Sequence, residues 1–221
     1  MGIPYLKHAA LLILGAAFLT SNAWADHECP SDRVPAPGSA VKGLTVDGVC
    51  VVNGVTVVGS TKIRNNGHLQ MELSTVNGGI TVEPGGELDL NATTLGAGVS
   101  AGTISTVHGS ITITNAFDID IRTALVDGGI LLDGSSSFPT VCGSDVAGDS
   151  SFTGMTGAIG GGPVLANPNV VCPGNYFSGS VSLTNSQVVM GGNTILGDLL
   201  CTNSTVTVTS PNTVKGKNTC Y

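Results

Sequence analysis

Charge is scarce in this chain. Lys, Arg, Asp and Glu make up 10% of its 221 residues, too few for a disordered polyelectrolyte. Aromatic residues are 4% and no long Leu-rich run occurs, which argues against a helical bundle. The 8 Lys and Arg are outnumbered by 15 Asp and Glu, giving a net charge of −7 and a pI near 4.7. Without a basic face, nucleic acid is excluded as a partner. No C-x-x-C pair occurs, and His27, His68 and His108 share no ligand spacing with the cysteines. No metal centre and no cofactor are expected. No G-x-S-x-G, Walker or dinucleotide motif leads from a strand into a helix, and Gly160-Gly161-Gly162 is loop composition. The chain is expected not to be an enzyme.

What is present is Gly (32 residues) with abundant Thr, Ser, Asn and Val, the mix of an all-β chain with many turns. The first 25 residues read as an address. Lys7 and His8 precede an apolar run from Ala9 to Leu19, and Ala23-Trp24-Ala25 matches an A-x-A cleavage site. This predicts a secretory signal peptide over 1–25, with a run too short to span a bilayer. No Cys follows the run as a lipoprotein anchor would require, and no later stretch is apolar for 18 residues. The expected product is secreted, at the cell surface, in the extracellular space or in a periplasm, with no integral membrane segment after cleavage.

The most informative feature is a repeat. The pattern apolar-x-Gly-x-apolar recurs around Gly78, Gly109, Gly128, Gly179 and Gly197, with a degenerate copy around Gly216. The spacings are 31, 19, 51, 18 and 19 residues. Three agree within one residue. The 31 is one period plus an insertion, and the 51 is two periods plus an insertion. Leu88 and Leu90 follow Gly78 by ten and twelve residues, as Ile119 and Ile121 follow Gly109. Between the glycines lie short alternating runs such as Ile80-Thr-Val82 and Val181-Ser-Leu183, each with one buried face. Turn sequences such as Asn65-Asn66-Gly67 and Pro84-Gly85-Gly86 separate them. Short strands at a period near 19 predict an all-β parallel β-helix, or β-solenoid, in which stacked coils share a core that no single coil could bury. Roughly eight to ten coils would make a rod of ~40–50 Å. A β-sandwich is the alternative, but it gives no reason for glycines at one phase.

Six cysteines in an exported chain predict a disulfide framework. Cys201 and Cys220 each lie four residues after a repeat glycine, so they should be neighbours on successive coils. Cys29 and Cys50 are about one coil apart, and Cys142 and Cys172 one coil plus a Gly-rich excursion. The expected pairs are Cys29–Cys50, Cys142–Cys172 and Cys201–Cys220. Along the chain, residues 26–44 read as a Pro-bearing extended leader and 45–221 as one solenoid domain. A loop-rich insertion is expected over 134–176.

The tail runs Gly197-Asp-Leu-Leu-Cys201-Thr-Asn203, then Asn212-Thr-Val214-Lys-Gly216-Lys-Asn218-Thr-Cys220. It resembles small secreted bacterial proteins with V-x-G-N-V repeats and a Cys-closed C-terminal coil. The likeness covers residues 177–221 well and 76–130 loosely. It implies a right-handed parallel β-helix and brings no activity with it. Here Gly-Gly, Gly-Ser or Gly-Asp stands where that group has Gly-Asn, which weakens the case for an Asn ladder at that position. A more distant likeness, of architecture alone, is to polymer-forming β-helical scaffold proteins.

Three functions follow as expectations. A non-enzymatic structural or surface module would self-associate end to end into filaments or matrix, because open solenoid ends expose strand backbone. A carbohydrate-binding or carbohydrate-cleaving β-helix, or a cation face, would use Asp118, Asp120 and Asp133. The first two alternate with Ile119 and Ile121 and so point outward. Glu72, Glu83, Glu87 and Asp89 form a second acidic set, and Asp127 lies between Asp120 and Asp133. Both sets also serve simply to keep strands soluble. An ice-binding solenoid would need the Thr-x-Thr runs at Thr112 and Thr205 to recur on stacked coils, which the sequence does not show. Asn91-Ala-Thr93 and Asn203-Ser-Thr205 are glycosylation sequons, idle in a bacterial source.

Overall fold

The computed structural model describes residues 26–29, 34–90, 104–135, 137–164 and 167–221. The predicted signal peptide and the Asn91 sequon lie outside them. Among the described residues all regular structure is β-strand, and no helix is long and apolar enough to cross a membrane. The chain winds as a parallel β-solenoid of about eight turns, about 19 residues apart. One turn places Thr61–Ile63 on a first face, His68–Glu72 on a second and Thr75–Val76 on a third. The next repeats the order with Ile80–Val82, Glu87–Leu90 and Ser105–Val107. Stacked strands form three parallel sheets of nine, eight and nine strands. Among the described residues the one antiparallel pair is a hairpin, Gly162–Val164 with Asn167–Cys172, so the sandwich alternative fails.

Alternation along each strand builds the core. Leu88 stands opposite Leu69 and Ile119, and Leu90 opposite Met71 and Ile121. These inward side chains are at most 1% exposed, and their neighbours in sequence face solvent or the half-buried surface. The register confirms the ten-and-twelve phase read from the sequence.

The corner between the third and first faces explains the glycines. Gly78, Gly109, Gly128, Gly197 and Gly216 stack with two that the repeat pattern missed, Gly59 and Gly148, and with Gly179. Six of the seven steps carry an N–H···O bond from one glycine to the next, at 3.0–3.3 Å. A Cβ on Gly109 would sit 2.8 Å from the Gly78 carbonyl carbon, and one on Gly128 2.7 Å from that of Gly109. The backbones approach too closely for any side chain. Gly59 and Gly148 escaped the pattern because the apolar residue two places on is Thr61 or Ser150. Both point inward and are buried, and the Ser150 hydroxyl accepts the Ile130 N–H at 3.2 Å. The residue after each glycine often serves the same corner. Asp149 and Asp198 carboxylates and the Ser180 hydroxyl accept N–H groups of the adjacent rung at 2.7–3.1 Å.

The other two corners share one device. A residue with positive φ turns the chain, and the next residue points inward. Leu73, Thr123, Gly143 and Gly192 turn the corner between the second and third faces. They are followed by Ser74, Ala124, Ser144 and Asn193. Asn185 and Asn203 do the same between the first and second faces, ahead of Ser186 and Ser204. The inward polar groups form ladders. Ser144 N–H donates to Asn175 Oδ1, Asn175 N–H to Asn193 Oδ1 and Asn193 N–H to Asn212 Oδ1, each at 2.9 Å. An Asn ladder is therefore present, at a different corner from the glycines. Its members satisfy buried backbone that the turn cannot pair.

The disulfides join Cys29 to Cys50, Cys142 to Cys172 and Cys201 to Cys220. Cys201 and Cys220 are neighbours on successive rungs, with Cα atoms 5.0 Å apart next to the Leu199–Asn218 bridge. Cys29 and Cys50, by contrast, do not stand at one position on successive rungs. Cys29 stands opposite Val46 on the first face and Cys50 opposite Leu69 on the second, so this bond crosses the interior at the N-terminal end. The boundaries differ too. Within the expected leader, Asp26–Cys29 pairs with Gly43–Val46, and Ala40–Val41 with Thr56–Val57. Within the expected insertion, strands Thr140–Cys142, Asp145–Val146, Ser150–Thr153 and Thr156–Ile159 continue the rungs. The excursion runs only from the end of Thr156–Ile159 to Tyr176–Phe177.

Replacing Asn193 by Ala removes two acceptor contacts to Asn175 and leaves the Ile159 carbonyl without its side-chain donor. A loss of about 2–4 kcal/mol in unfolding free energy is expected, measurable by denaturant titration.

Candidate functional site

The second face carries the densest outward chemistry. Glu87 stands opposite His68 and Asp118, and Asp89 opposite Gln70 and Asp120. Glu87-Leu-Asp-Leu90 and Asp118-Ile-Asp-Ile121 are the same strand on successive rungs. Members of two acidic sets that look separate in sequence, Glu87 with Asp89 and Asp118 with Asp120, share one patch, because Glu87 and Asp118 pair although they are 31 residues apart. His68, Glu87, Leu88, Asp89, Asp118 and Asp120 line a cleft of about 120 Å³.

Its hydrogen bonds are specific. Arg122 Nε donates to Asp120 Oδ1 at 2.6 Å, with both side chains a quarter exposed or less. Ser137 donates to Asp118 at 2.9 Å, and His68 Nδ1 lies 3.3 Å from Glu87. Asn53 and Gln70 each donate to Glu72 at 3.1 Å. The buried Oδ1 of Asp89 has no hydrogen-bond partner among the described residues. Burial pushes the Asp120 carboxyl up to about 6. The nearby Asp89 and Asp118 charges add to this, and Arg122 opposes it. Asp89 is raised as well, first by burial, with Arg122 and His68 working against it. The cleft therefore holds a carboxylic acid close to half-protonation at mildly acidic pH, beside further carboxyl groups. Such a set can exchange hydrogen bonds with hydroxyl groups or relay a proton.

The other candidates lie elsewhere. Asp133 is on the first face, opposite Thr114 and Thr153, and does not join Asp118 and Asp120. Glu83 pairs with Lys62 at 2.6 Å, and Asp127 with His108 at 2.6 Å, both at exposed positions. Thr112 and Thr114 belong to the first face and Thr205 to the second, so the Thr-x-Thr runs do not stack. The outward rows on the first face carry further hydroxyls at Ser151, Thr153, Ser182 and Thr184. Leu131 and Asp133 interrupt them. Among the described residues, no group of three or more His, Cys, Asp or Glu is placed to hold a metal ion.

Compared with known proteins, the chain matches no family profile, no curated relative and no solved structure. The parallel solenoid with its C-terminal disulfide is thus what stands of the resemblance drawn from the tail. Three disulfides are typical of proteins from extracellular or other oxidising compartments.

The raised Asp120 has a consequence for pH. A carboxyl whose folded pKa is about 6, against an unfolded value of 3.8, binds its proton more tightly in the native state. The stability it contributes is complete below the unfolded value and is lost as pH rises through the folded one. The denaturation midpoint should fall between pH 4 and about pH 6.5, by on the order of 1 kcal/mol in stability. Asp120→Asn should flatten that fall, as read by urea titration across the range.

Proposed function

We propose that this chain is an exported, non-enzymatic structural or surface protein that self-associates through the ends of its solenoid. The observation that carries the reading is the open C-terminal end. Val208 occupies the inward column of Met190, yet it is 41% exposed where Met190 is fully buried. Nothing among the described residues pairs with the far edge of its strand, Thr205–Ser210. Exposed strand edges with apolar inward positions favour addition of further strands. Concentration-dependent light scattering, with electron microscopy showing particles or rods of uniform width, is the expected result. A protein that stays monomeric at high concentration overturns the reading.

The cleft on the second face favours a second reading, a carbohydrate-binding or carbohydrate-cleaving β-helix. Asp118 and Asp120 would carry it together with Asp89, in place of Asp133. The partly protonated Asp120 beside Asp89 could donate and accept hydrogen bonds with sugar hydroxyls at mildly acidic pH. Binding or turnover on a panel of polysaccharides, lost in Asp120→Ala while the fold persists, would support it. Equal behaviour of wild type and variant would remove it.

A further inference from the structure

The two ends of the solenoid are not equivalent. At the N-terminal end Cys29, Cys50 and Val52 are fully buried, and the Cys29–Cys50 bond lies across the interior. At the C-terminal end the three faces finish differently. The first is covered by the last residues of the chain: Leu199 N–H donates to the Lys217 carbonyl, Thr219 N–H donates to the Leu199 carbonyl, and Cys220 is bonded to Cys201. The third ends at Thr213–Val214. The second ends at Thr205–Ser210, the longest strand of the last turn, with no strand beyond it among the described residues.

Three properties of this edge point to one occupant. Its groups are of one kind: from Thr202 to Val214 there is no charged residue, and the lysines that natural edge strands use to repel neighbours are absent from it. Its free hydrogen-bonding groups follow from the ladder. Thr205 N–H donates to Ser186 O, so Thr205 and Thr207 turn their main-chain groups toward the preceding rung. Val206 and Val208 therefore turn both N–H and C=O toward the open side. Finally, Thr205-Val-Thr-Val-Thr209 reads the same in both directions about Thr207. Antiparallel pairing of this strand with its own copy, on a two-fold axis at Thr207, sets Val206 against Val208 of the copy and Val208 against Val206. Both are then hydrogen-bonded pairs, and all four open groups of each strand are used. The inward valines of both copies fall on the core side, where Val208 is now exposed.

We propose that the C-terminal edge strand is an isologous interface, at which two copies of this chain join tail to tail through Thr205–Thr209. The inference rests on the self-association reading above and narrows it. The pairing closes on itself, so this end yields a dimer and no longer array. Head-to-tail growth is disfavoured because the opposite end offers no open core.

The test uses the intact, oxidised protein. Light scattering should give twice the chain mass at micromolar concentration. Thr207→Asp puts a like-charge pair on the axis while altering only an exposed outward position of the monomer. It should raise the dissociation constant about tenfold or more without lowering the melting temperature. Thr207 faces its own copy in a non-hydrogen-bonded pair, where Cα atoms lie ~4.5 Å apart, within disulfide range. Thr207→Cys should therefore give a covalent dimer on a non-reducing gel. Thr205→Cys, which faces Thr209 of the copy, should not. Assembly that survives Thr207→Asp, or cross-linking that is as efficient from Thr205→Cys, overturns the tail-to-tail interface and leaves self-association standing. A wild-type protein monomeric at every concentration overturns both.

Discussion

The structure depends on how closely two rungs of backbone can approach. Parallel strands in adjacent turns lie ~4.8 Å apart, and every corner must hold that spacing while the chain changes direction. At the corner between the third and first faces the spacing is met by bare backbone, glycine on glycine. Between the second and third faces, and in the later rungs between the first and second, it is met by an inward side chain that bonds the rung beside it. Once corners repeat at that distance, inward positions fall into columns and the core follows without long-range design. Val57, Val76, Val107, Val126 and Val146 form such a column, every member fully buried.

Polar groups in the interior are thus part of the scaffold. Asn175 illustrates the economy of the ladder. Its Nδ2 donates to the Val141 carbonyl and to Asn193 Oδ1, its N–H to the same Oδ1, and its own Oδ1 accepts from Ser144. An apolar residue at such a place is tolerated where the next rung supplies the oxygen. Ala124 and Val55 hold equivalent positions and donate their N–H groups to Ser144 Oγ and Ser74 Oγ. The ladder is a property of the column and is shared among residues that look unrelated in sequence.

This sharing sets what the sequence could reveal. The fold was legible because glycine tolerates no substitute at its corner, so its period survives in the text. The Asn ladder was not legible, because Ser, Asn, Ala and Val all satisfy the same column. Gly148 was hidden by Ser150, a buried hydroxyl at a place where the pattern expects an apolar residue. The acidic cleft was half legible. Leu88 and Ile119 were already in phase, and the carboxylates flanking them had only to be carried along, but extra chain between Leu90 and Ser105 kept the two sets apart. Asp133 is near Asp118 and Asp120 along the chain, but in a solenoid such nearness says little about which face a residue occupies.

Both stretches of extra chain fall at the same place in the winding order. One lies between Glu87–Leu90 and Ser105–Val107, the other between Thr156–Ile159 and Tyr176–Phe177, each at the passage from the second face to the third. Because a strand's register is set by its neighbours above and below, a detour there changes neither the phase nor the count of the turns that follow. That edge is where the protein can vary in length and cargo while the rest keeps step. A foreign peptide grafted there would leave that phase untouched, whereas a single residue added at the glycine corner would throw every later turn out of alignment.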